Sequence, residues 1–254
     1  MVNNNTIAQN NVGIGTTTPT AKLDIIGNIK ITDGTQGNGK VLTSNANGLA
    51  SWQTVSTPPP PSNPTSSWPT VQIGCATWMT KNLDVITYRN GDTIPLITNS
   101  AAWIADTIGA YCYYSNNTSN GPIYGKLYNW YAVNNSKGLA PEGWHIPSDF
   151  EWTTLVNTLG GADEAGGLMK AIGTGSWLEP NLGATNLSNF SGLPGGYRGG
   201  LGGFNVKGEF GHWWTSTPAD ATIAWSRNLN NNDTFIGAAG SAKILGYSVR
   251  CVKD

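Results

Sequence analysis

The clearest apolar pattern in the chain predicts one helix after residue 148. Ser148 precedes Glu151 by three residues, and a serine and a glutamate at this spacing form a capping box at a helix start. Gly160 and Gly161 follow the last apolar position and end the helix. The predicted apolar face consists of Phe150, Trp152, Leu155, Val156 and Leu159.

A second, shorter helix is predicted over residues 162–172. Asp163 and Glu164 stand in its first turn, where acidic side chains are favoured. The side chains expected to turn inward are Leu168, Met169 and Ile172.

The remaining pattern of the C-terminal part predicts strands and loops. Short strands are expected near residues 71–73 and 77–79, and residues 90–120 are rich in loop-forming residue types. Beyond Gly173 the chain shows turns and short strands. Two helices followed by a glycine-rich antiparallel region predict an α+β fold.

Residues 1–56 show a different pattern, in which short apolar stretches are interrupted by glycine and asparagine. This pattern predicts brief strands and turns. Because about 50 residues with few large apolar side chains cannot bury enough surface alone, we expect three intertwined copies to supply the missing core. The alternative is a flexible, partly ordered extension of the chain.

A proline-rich segment separates these two parts. Consecutive prolines begin at Pro58, and residues 57–70 are otherwise rich in serine and threonine. Consecutive prolines lack amide donors and hold the backbone extended, which is typical of a linker. We therefore expect a β-rich stalk segment (1–56), a linker (57–70) and an independently folded domain (71–254).

Composition narrows the classes of function. The chain has 254 residues, of which 39% are hydrophobic, so a sizeable core can form. Only 11% are charged, the net charge is -1, and lysines and arginines are scattered singly. Because nucleic acids are bound through clustered cations, a nucleic-acid partner is not expected. Low charge also reduces the repulsion between copies of the chain, which is compatible with a defined oligomer.

Neither membrane insertion nor a standard secretion signal is expected. No apolar run approaches the ~18 residues that a membrane helix needs, and residues 1–6 lack the basic and apolar regions of a signal peptide. Either a signal peptide has been removed, or the protein is assembled into a particle in the cytoplasm and leaves with that particle.

Motifs in a fixed order give the C-terminal part a family resemblance. They are KNLD (81–84), YGKLYNW (124–130), GWHIPSDFEW (143–152), LPGGYR (193–198), WWTST (213–217) and GYSVRCV (246–252). Residues 71–254 thereby resemble the Fibrobacter succinogenes major paralogous domain, a relative of the C-type-lectin-like and formylglycine-generating-enzyme fold. The resemblance implies a C-type-lectin-like head with two helices and short antiparallel strands.

The N-terminal part carries a second resemblance. The segments VGIGTTTPTAKLDIIGNI (12–29) and GKVLTSNANGLASW (39–52) are similar to stalk segments of bacteriophage tail fibres and related contractile-injection fibres. This implies a homotrimer whose N-terminal segment contacts baseplate or tail proteins of a particle. The implied location is extracellular, in a virion tail or phage-like particle, or on the bacterial cell surface.

The predicted ligand-binding face lies in an asparagine-rich segment near residue 230. Uncharged amides donate and accept hydrogen bonds, which suits glycan hydroxyls or a peptide backbone. The resemblance also implies that the late strands of the lectin-like fold carry the ligand. The predicted residues are Trp225, Arg227, Asn228, Asn230, Asn231, Asn232, Asp233 and Phe235. The alternative is an ordinary asparagine-rich β-turn stabilised by local side-chain hydrogen bonds.

Eleven tryptophans invite a sugar-stacking interpretation, but most are expected to be core residues. Large aromatic side chains inside motifs or at helical spacing fill space between helices and loops. The tryptophans expected in the core are Trp78, Trp130, Trp144, Trp152 and Trp214.

No metal site is predicted. Glu179, Pro180 and Asn181 reproduce the tripeptide with which calcium lectins bind Ca²⁺ and mannose-type sugars. The companion Trp-Asn-Asp motif is missing at the expected short distance, so calcium remains only an alternative. His145 and His212 are far apart in the sequence and lack ligand spacing.

The family resemblance implies one disulfide among the three cysteines. Cys251 stands in the closing strand, where the lectin-like fold usually anchors a disulfide, and Cys112 matches a frequent family cysteine. Many members carry a cysteine just before Pro141, where this chain has Ala140. A Cys112–Cys251 bond is expected; the alternatives are Cys75 as the partner of Cys251, or no bond in a reducing cytoplasm.

An enzyme is not expected. Formylglycine-generating enzymes need a reactive cysteine pair, whereas no two cysteines are close in this sequence and no Ser-His-Asp order is apparent. The order of stalk, linker and head is typical of an attachment protein. It predicts a trimeric tail-fibre or tail-tip protein of a phage or contractile particle that binds a cell-surface glycan or protein. The alternative is a structural or decorating component without a ligand.

Overall fold

The computed structural model of the chain describes residues 11–38, 40–54 and 68–254. The chain forms two compact units, Met1–Pro58 and Pro59–Asp254, and each is described by itself. Strands predominate and the helices are few and short, which confirms the α+β class. Of the predicted linker, residues 57–70, positions 57–67 lie outside the described residues.

The regular elements are short and are numbered along the chain. The strands are β1 (Val12–Ile14), β2 (Leu23–Ile25), β3 (Lys40–Ser44), β4 (Ala50–Thr54), β5 (Thr70–Ile73), β6 (Ala76–Met79), β7 (Tyr111–Cys112), β8 (Leu127–Tyr128), β9 (Trp144–His145), β10 (Tyr197–Arg198), β11 (Phe204–Asn205), β12 (Phe210–Pro218), β13 (Ile223–Asn230), β14 (Ile236–Ala242) and β15 (Val252–Lys253). The helices are α1 (Ser100–Ala105), α2 (Gly121–Tyr124), α3 (Trp130–Val133), α4 (Asp149–Thr158) and α5 (Ala162–Met169). None of the helices that the structure describes is long and apolar enough to cross a membrane.

The first unit contains two small sheets and no buried apolar residue among its described positions. Strand β1 pairs with β2 in parallel, and β3 pairs with β4 as an antiparallel hairpin. The Asn45 side-chain oxygen accepts hydrogen bonds from the amides of Asn47 and Leu49 and closes the hairpin turn. The exposed large apolar residues are Val12, Ile14, Leu23, Ile26, Ile29, Ile31, Val41, Leu42 and Leu49. The brief strands and turns predicted for this part are therefore present, without a core of their own.

Two antiparallel sheets organise the second unit. One has the strand order β5-β6-β15-β9, in which Val252 pairs with both Trp78 and His145. The other has the order β12-β13-β14. These three late strands are seven to nine residues long, which is longer than the sequence pattern indicates.

Strand β12 contributes to two apolar cores, because its neighbouring residues Trp213 and Trp214 point to opposite faces of the sheet. The first core contains Trp214 together with Met79, Tyr128, Trp130, Tyr247 and Val249. The second core contains Trp213 together with Trp78, Trp152, Trp177, Phe190 and Leu229. Of the tryptophans predicted to be core residues, Trp144 is only partly buried and the other four are buried.

Helix α4 begins with the predicted capping box. The Ser148 hydroxyl accepts a hydrogen bond from the Glu151 amide at 3.2 Å, and the Glu151 carboxylate accepts one from the Ser148 amide at 2.7 Å. The buried residues of the helix are Trp152, Leu155 and Val156. Phe150 is 79% exposed, so its predicted place on the apolar face is wrong. With 3.6 residues per turn, Phe150 lies roughly 200° around the helix from Trp152.

Helix α5 ends at Met169, earlier than predicted. Lys170 takes an extended conformation, and its buried ammonium donates hydrogen bonds to the carbonyl oxygens of Leu182, Asn230 and Asp233 at 2.8, 2.9 and 2.7 Å. Because this side chain is anchored outside the helix, the following Ile172 is exposed and does not turn inward as predicted. Helices α1, α2 and α3, of four to six residues, add to the two predicted ones.

Buried cations hold the irregular segments of the second unit together. Among the described residues, the buried cations are Lys126, Lys170, Arg198, Arg227, Lys243 and Arg250. Arg250 Nη1 donates hydrogen bonds to the Met79 and Phe190 carbonyl oxygens at 2.9 and 2.6 Å. Its Nε and Nη2 donate to Asn82 Oδ1 at 3.1 and 2.8 Å. Burial lowers the pKa of Arg250 to about 9, so the guanidinium is charged at neutral pH.

Replacing Arg250 by lysine is expected to lower the free energy of unfolding by about 2–4 kcal/mol, because a single ammonium nitrogen cannot reproduce the four hydrogen bonds that three guanidinium nitrogens make and leaves a buried oxygen underbonded. Denaturant unfolding of the full chain, followed by tryptophan fluorescence, measures the change. Lys253→Met, at an exposed cation on β15, is the control and should stay within about 0.5 kcal/mol. Equal stabilities of the two variants would contradict this role of Arg250.

Candidate ligand-binding surfaces

The two aromatic residues of the predicted ligand face lie at opposite ends of the β13–β14 pair. Trp225 stands opposite Gly240, whereas Phe235 immediately precedes Ile236, the partner of Leu229. Both aromatic side chains are exposed. Since each strand residue advances the chain by about 3.3 Å, roughly 15 Å of strand separates them. The structure therefore does not bring these aromatics around one small ligand.

Two of the predicted ligand residues, Arg227 and Asn231, are buried and serve the fold. Arg227 Nη2 donates hydrogen bonds to Asp149 Oδ1 at 2.6 Å and to the Thr153 hydroxyl at 2.9 Å, which joins β13 to the start of α4. Asn231 Nδ2 donates to the Glu179 carbonyl oxygen at 2.8 Å and holds the loop that precedes Asn181. Neither side chain is free to bind a ligand.

The asparagine-rich turn is stabilised by its own side chains. Asn230 Oδ1 accepts hydrogen bonds from the amides of Asn232 and Asp233 at 2.7 and 3.0 Å, and its Nδ2 donates to Asp233 Oδ2 at 2.7 Å. Asp233 Oδ1 accepts a hydrogen bond from the Phe235 amide at 2.9 Å. This is the arrangement expected of the alternative, a locally bonded turn. Asn228 is half-buried beside Gly237, which leaves Asn232 as the exposed amide of the turn.

Alanine at Asn231 is expected to lower the free energy of unfolding by about 1–3 kcal/mol, because the carbonyl oxygens of Leu178 and Glu179 lose a buried donor. Alanine at the neighbouring Asn232, which is exposed, should change stability by less than about 0.5 kcal/mol. Chemical denaturation of the two matched variants measures both. A cost for Asn232→Ala as large as that for Asn231→Ala would show that the buried amide is not what holds this loop.

The tripeptide that resembles a calcium-lectin motif is built into the same loops. Asn181 Nδ2 donates hydrogen bonds to the Ala171 and Gly173 carbonyl oxygens at 3.0 and 2.8 Å, and its Oδ1 is buried without a partner. Calcium needs six to eight oxygen ligands. The structure gathers no group of three or more His, Cys, Asp or Glu side chains able to hold a metal ion within the residues it describes.

The expected Cys112–Cys251 disulfide is not formed in the structure, and all three cysteines are free. Cys112 lies in a small cluster with Trp103 and Leu127, whereas Cys251 lies in the first core. Burial raises the pKa of both thiols to about 12, so they stay protonated. Separate packing environments therefore explain the absence of the bond.

His145 joins two acidic residues at the surface. Its Nε2 lies 2.7 Å from Glu151 Oε1 and its Nδ1 lies 2.8 Å from Asp254 Oδ1. Burial acts to lower the pKa of His145, but the hydrogen bonds and charges of the two carboxylates outweigh it, and the pKa is raised. The cluster thereby links β9, α4 and the residue after β15.

His212 has the opposite environment. Its imidazole stacks between the rings of Phe210 and Tyr247, whose centroids are 5.6 and 4.8 Å away. Burial lowers the pKa of His212 to about 4, so the ring is neutral at physiological pH. The two histidines therefore titrate on opposite sides of the usual value for histidine.

The two histidines are expected to reduce stability at opposite ends of the pH range. The raised pKa of His145 stabilises the fold below about pH 6.5, and this contribution is lost as the pH rises through the folded value. The lowered pKa of His212 removes stability as the pH falls from about 6.5 towards 4. Denaturation midpoints measured against pH test both. We expect His145→Gln to flatten the profile on its alkaline side and His212→Phe to flatten it on its acidic side; an unchanged profile on that side in either variant contradicts the corresponding assignment.

A cleft outside the asparagine-rich turn was missed by the sequence analysis. It has a volume of about 320 Å³ and is lined by Trp68, Pro69, Lys81, Asn82, Asp84, Gly121, Pro122, Ile123 and Gly125. We call it the Trp68 cleft. Residues 81–84 and 124–130 are motif segments in the sequence, but nothing in their spacing shows that they meet residue 68.

Comparison with known proteins identifies the family of the second unit. The sequence profile of the Fibrobacter succinogenes major domain matches residues 71–253, which is more than half of the chain. No curated protein and no solved structure matches the chain. The match extends from β5 to β15 and includes the buried residues of both cores. It also includes the residues that line the Trp68 cleft, except Trp68 and Pro69. The chain therefore belongs to the Fibrobacter succinogenes major domain family.

Proposed function

We propose that this protein is a trimeric attachment protein of a phage tail or phage-like contractile particle. In this proposal, residues 1–56 form the stalk and contact the baseplate or tail, and the C-terminal domain, with a C-type-lectin-like fold, binds a cell-surface glycan or protein. The protein would then act outside the producing cell, as part of the particle. No catalytic step is included in the proposed function.

The observation that carries the proposal is the lack of a core in the first unit. Nine large apolar side chains are exposed there, and none is buried among the described residues. Exposed apolar area of this kind is stabilised when it is covered, and each buried methylene contributes about 0.8 kcal/mol. Further copies of the same chain would cover it in a symmetric stalk.

The second unit supports the role of a head because it has a complete interior. Its two apolar cores and its buried cations are enclosed by segments of the same chain. Its surface carries little charge, which suits weak recognition through hydrogen bonds and apolar contacts more than electrostatic attraction. A stalk that multiplies such heads raises the effective concentration of each weak site.

One observation favours a second candidate function, a structural or decorating component without a ligand. Several residues of the predicted ligand face serve the fold, as shown by the hydrogen bonds of Arg227, Asn230 and Asn231. A late-strand face occupied in this way could belong to a purely structural domain. The two candidate functions differ in whether the protein attaches to cells, so a cell-binding measurement distinguishes them.

The full chain is expected to be a trimer, and light scattering after size exclusion measures its mass. The double variant Ile14→Asp/Ile26→Asp should be a monomer, because trimer formation would bury the introduced charges between the chains. The matched control is the double variant Ile108→Asp/Ile172→Asp in the second unit, which should remain a trimer. It is matched in exposure, since Ile26 and Ile172 are 70% and 69% exposed. A wild-type chain that is monomeric at micromolar concentration would contradict the stalk.

Attachment is tested with the same proteins. Labelled full-length trimer should bind bacterial cells or an immobilised glycan array, and the monomeric Ile14→Asp/Ile26→Asp variant should bind much more weakly because it loses multivalency. Absence of binding by a wild-type trimer to every cell and glycan surface tested would favour the structural alternative.

A further inference from the structure

The Trp68 cleft combines apolar walls with a few polar groups, and its lining indicates the ligand class. We propose that the cleft binds one neutral sugar unit of a cell-surface glycan. This inference rests on the proposed attachment function and gives it a place and a chemical class of ligand. It moves the expected contact from the asparagine-rich turn to a different part of the domain.

The size and walls of the cleft suit a small ring. Its volume of about 320 Å³ falls at the lower end of the ~300–1,000 Å³ typical of small-molecule sites. Trp68, Pro69, Pro122 and Ile123 provide apolar surface, and Ile123 is 55% exposed. The C–H face of a sugar ring is apolar and packs against aromatic and aliphatic side chains of this kind.

The floor of the cleft is fixed before any ligand binds. Asn82 Nδ2 donates a hydrogen bond to the Tyr124 carbonyl oxygen at 2.8 Å, and Asn82 Oδ1 accepts hydrogen bonds from Arg250 and from Trp213 Nε1. Gly125 has a φ of +74°, and a Cβ there would lie 2.8 Å from the Leu83 carbonyl oxygen. A rigid floor reduces the entropy that binding must overcome.

The polar groups of the cleft favour a neutral ligand rich in hydroxyls. Asp84 is ion-paired through Oδ1 with the buried Lys126, and its side chain is 36% exposed. Within the described part of the chain, Asp84 Oδ2 has no hydrogen-bond partner, so it can accept one from a ligand hydroxyl. Lys81 is exposed at the rim and can donate one. Because the Asp84 carboxylate is already paired with the Lys126 ammonium, the interior of the cleft offers hydrogen-bonding capacity with little net charge, which suits a neutral ligand.

The test uses the full-length chain with the methyl glycosides of glucose, galactose, mannose and N-acetylglucosamine as probes. Saturation-transfer NMR detects binding, and calorimetric titration measures the dissociation constant. We expect at least one probe to bind with a dissociation constant on the order of 1 mM. Trp68→Ala, Ile123→Ala and Lys81→Ala should each weaken it, with about a tenfold loss for Trp68→Ala.

The matched control is Trp225→Ala, which removes an exposed tryptophan outside the cleft and should leave probe binding unchanged. Thermal melting confirms that each variant is folded; because Trp68 packs against the first core, Ile123→Ala and Lys81→Ala carry the test if Trp68→Ala melts early. Normal probe binding by folded Ile123→Ala and Lys81→Ala overturns the inference.

The remaining outcomes separate the site from the proposed function. If the chain attaches to cells but binds none of the glycosides, the sugar site is wrong and the attachment function stands. Loss of that attachment after protease treatment of the cells would then identify a protein ligand. If glycosides bind in the cleft but the chain attaches to no cell or glycan surface, the site is correct and the attachment function fails.

Discussion

The packing of the second unit depends on a buried guanidinium that is held by neutral oxygens. Arg250 donates hydrogen bonds to the backbone carbonyl oxygens of Met79 and Phe190 and to the side-chain oxygen of Asn82. The same Asn82 oxygen accepts a hydrogen bond from Trp213. Because these residues belong to four separate segments, one charged group positions both cores at once. Removing any partner would leave a buried charge or carbonyl unpaired, which is why this contact tolerates little change.

Other buried cations of the second unit make the same kind of contact with irregular segments. Lys170 donates hydrogen bonds to the carbonyl oxygens of Leu182, Asn230 and Asp233. Arg198 donates hydrogen bonds to the carbonyl oxygens of Ile97, Thr98 and Gly202, and its guanidinium lies 4.5 Å from the centroid of Trp103. Backbone carbonyls in loops have no helical or strand partner and must be satisfied in another way when they are buried. A domain built largely of loops therefore uses much of its small complement of cations in its interior.

This use of polar side chains also bears on the surface that we propose for recognition. The asparagine-rich turn is rich in amides, as a ligand face would be, yet most of its side chains form hydrogen bonds within the turn or to the neighbouring loop. In the Trp68 cleft the reverse holds, since the fixed groups form the floor while Asp84 and Lys81 keep hydrogen-bonding capacity towards the opening. Recognition is favoured where rigid support and uncommitted groups coincide.

Local sequence determined the features that depend on neighbouring residues. The capping box of Ser148 and Glu151 and the buried stripe of α4 follow from spacing within one helix, and the turn after β13 follows from its asparagines. The sequence motifs also identified the family of the second unit. Tertiary structure alone decided which polar residues are buried, because their partners are distant: Asn231 bonds Glu179, 52 positions away, and Asn82 bonds Arg250, 168 positions away. It likewise decided that Cys112 and Cys251 lie in different clusters and that Trp68 meets Asp84 and Ile123 in one cleft. The segments that fold against a side chain decide whether it is buried and which hydrogen-bond partners it has. Local sequence spacing does not predict either.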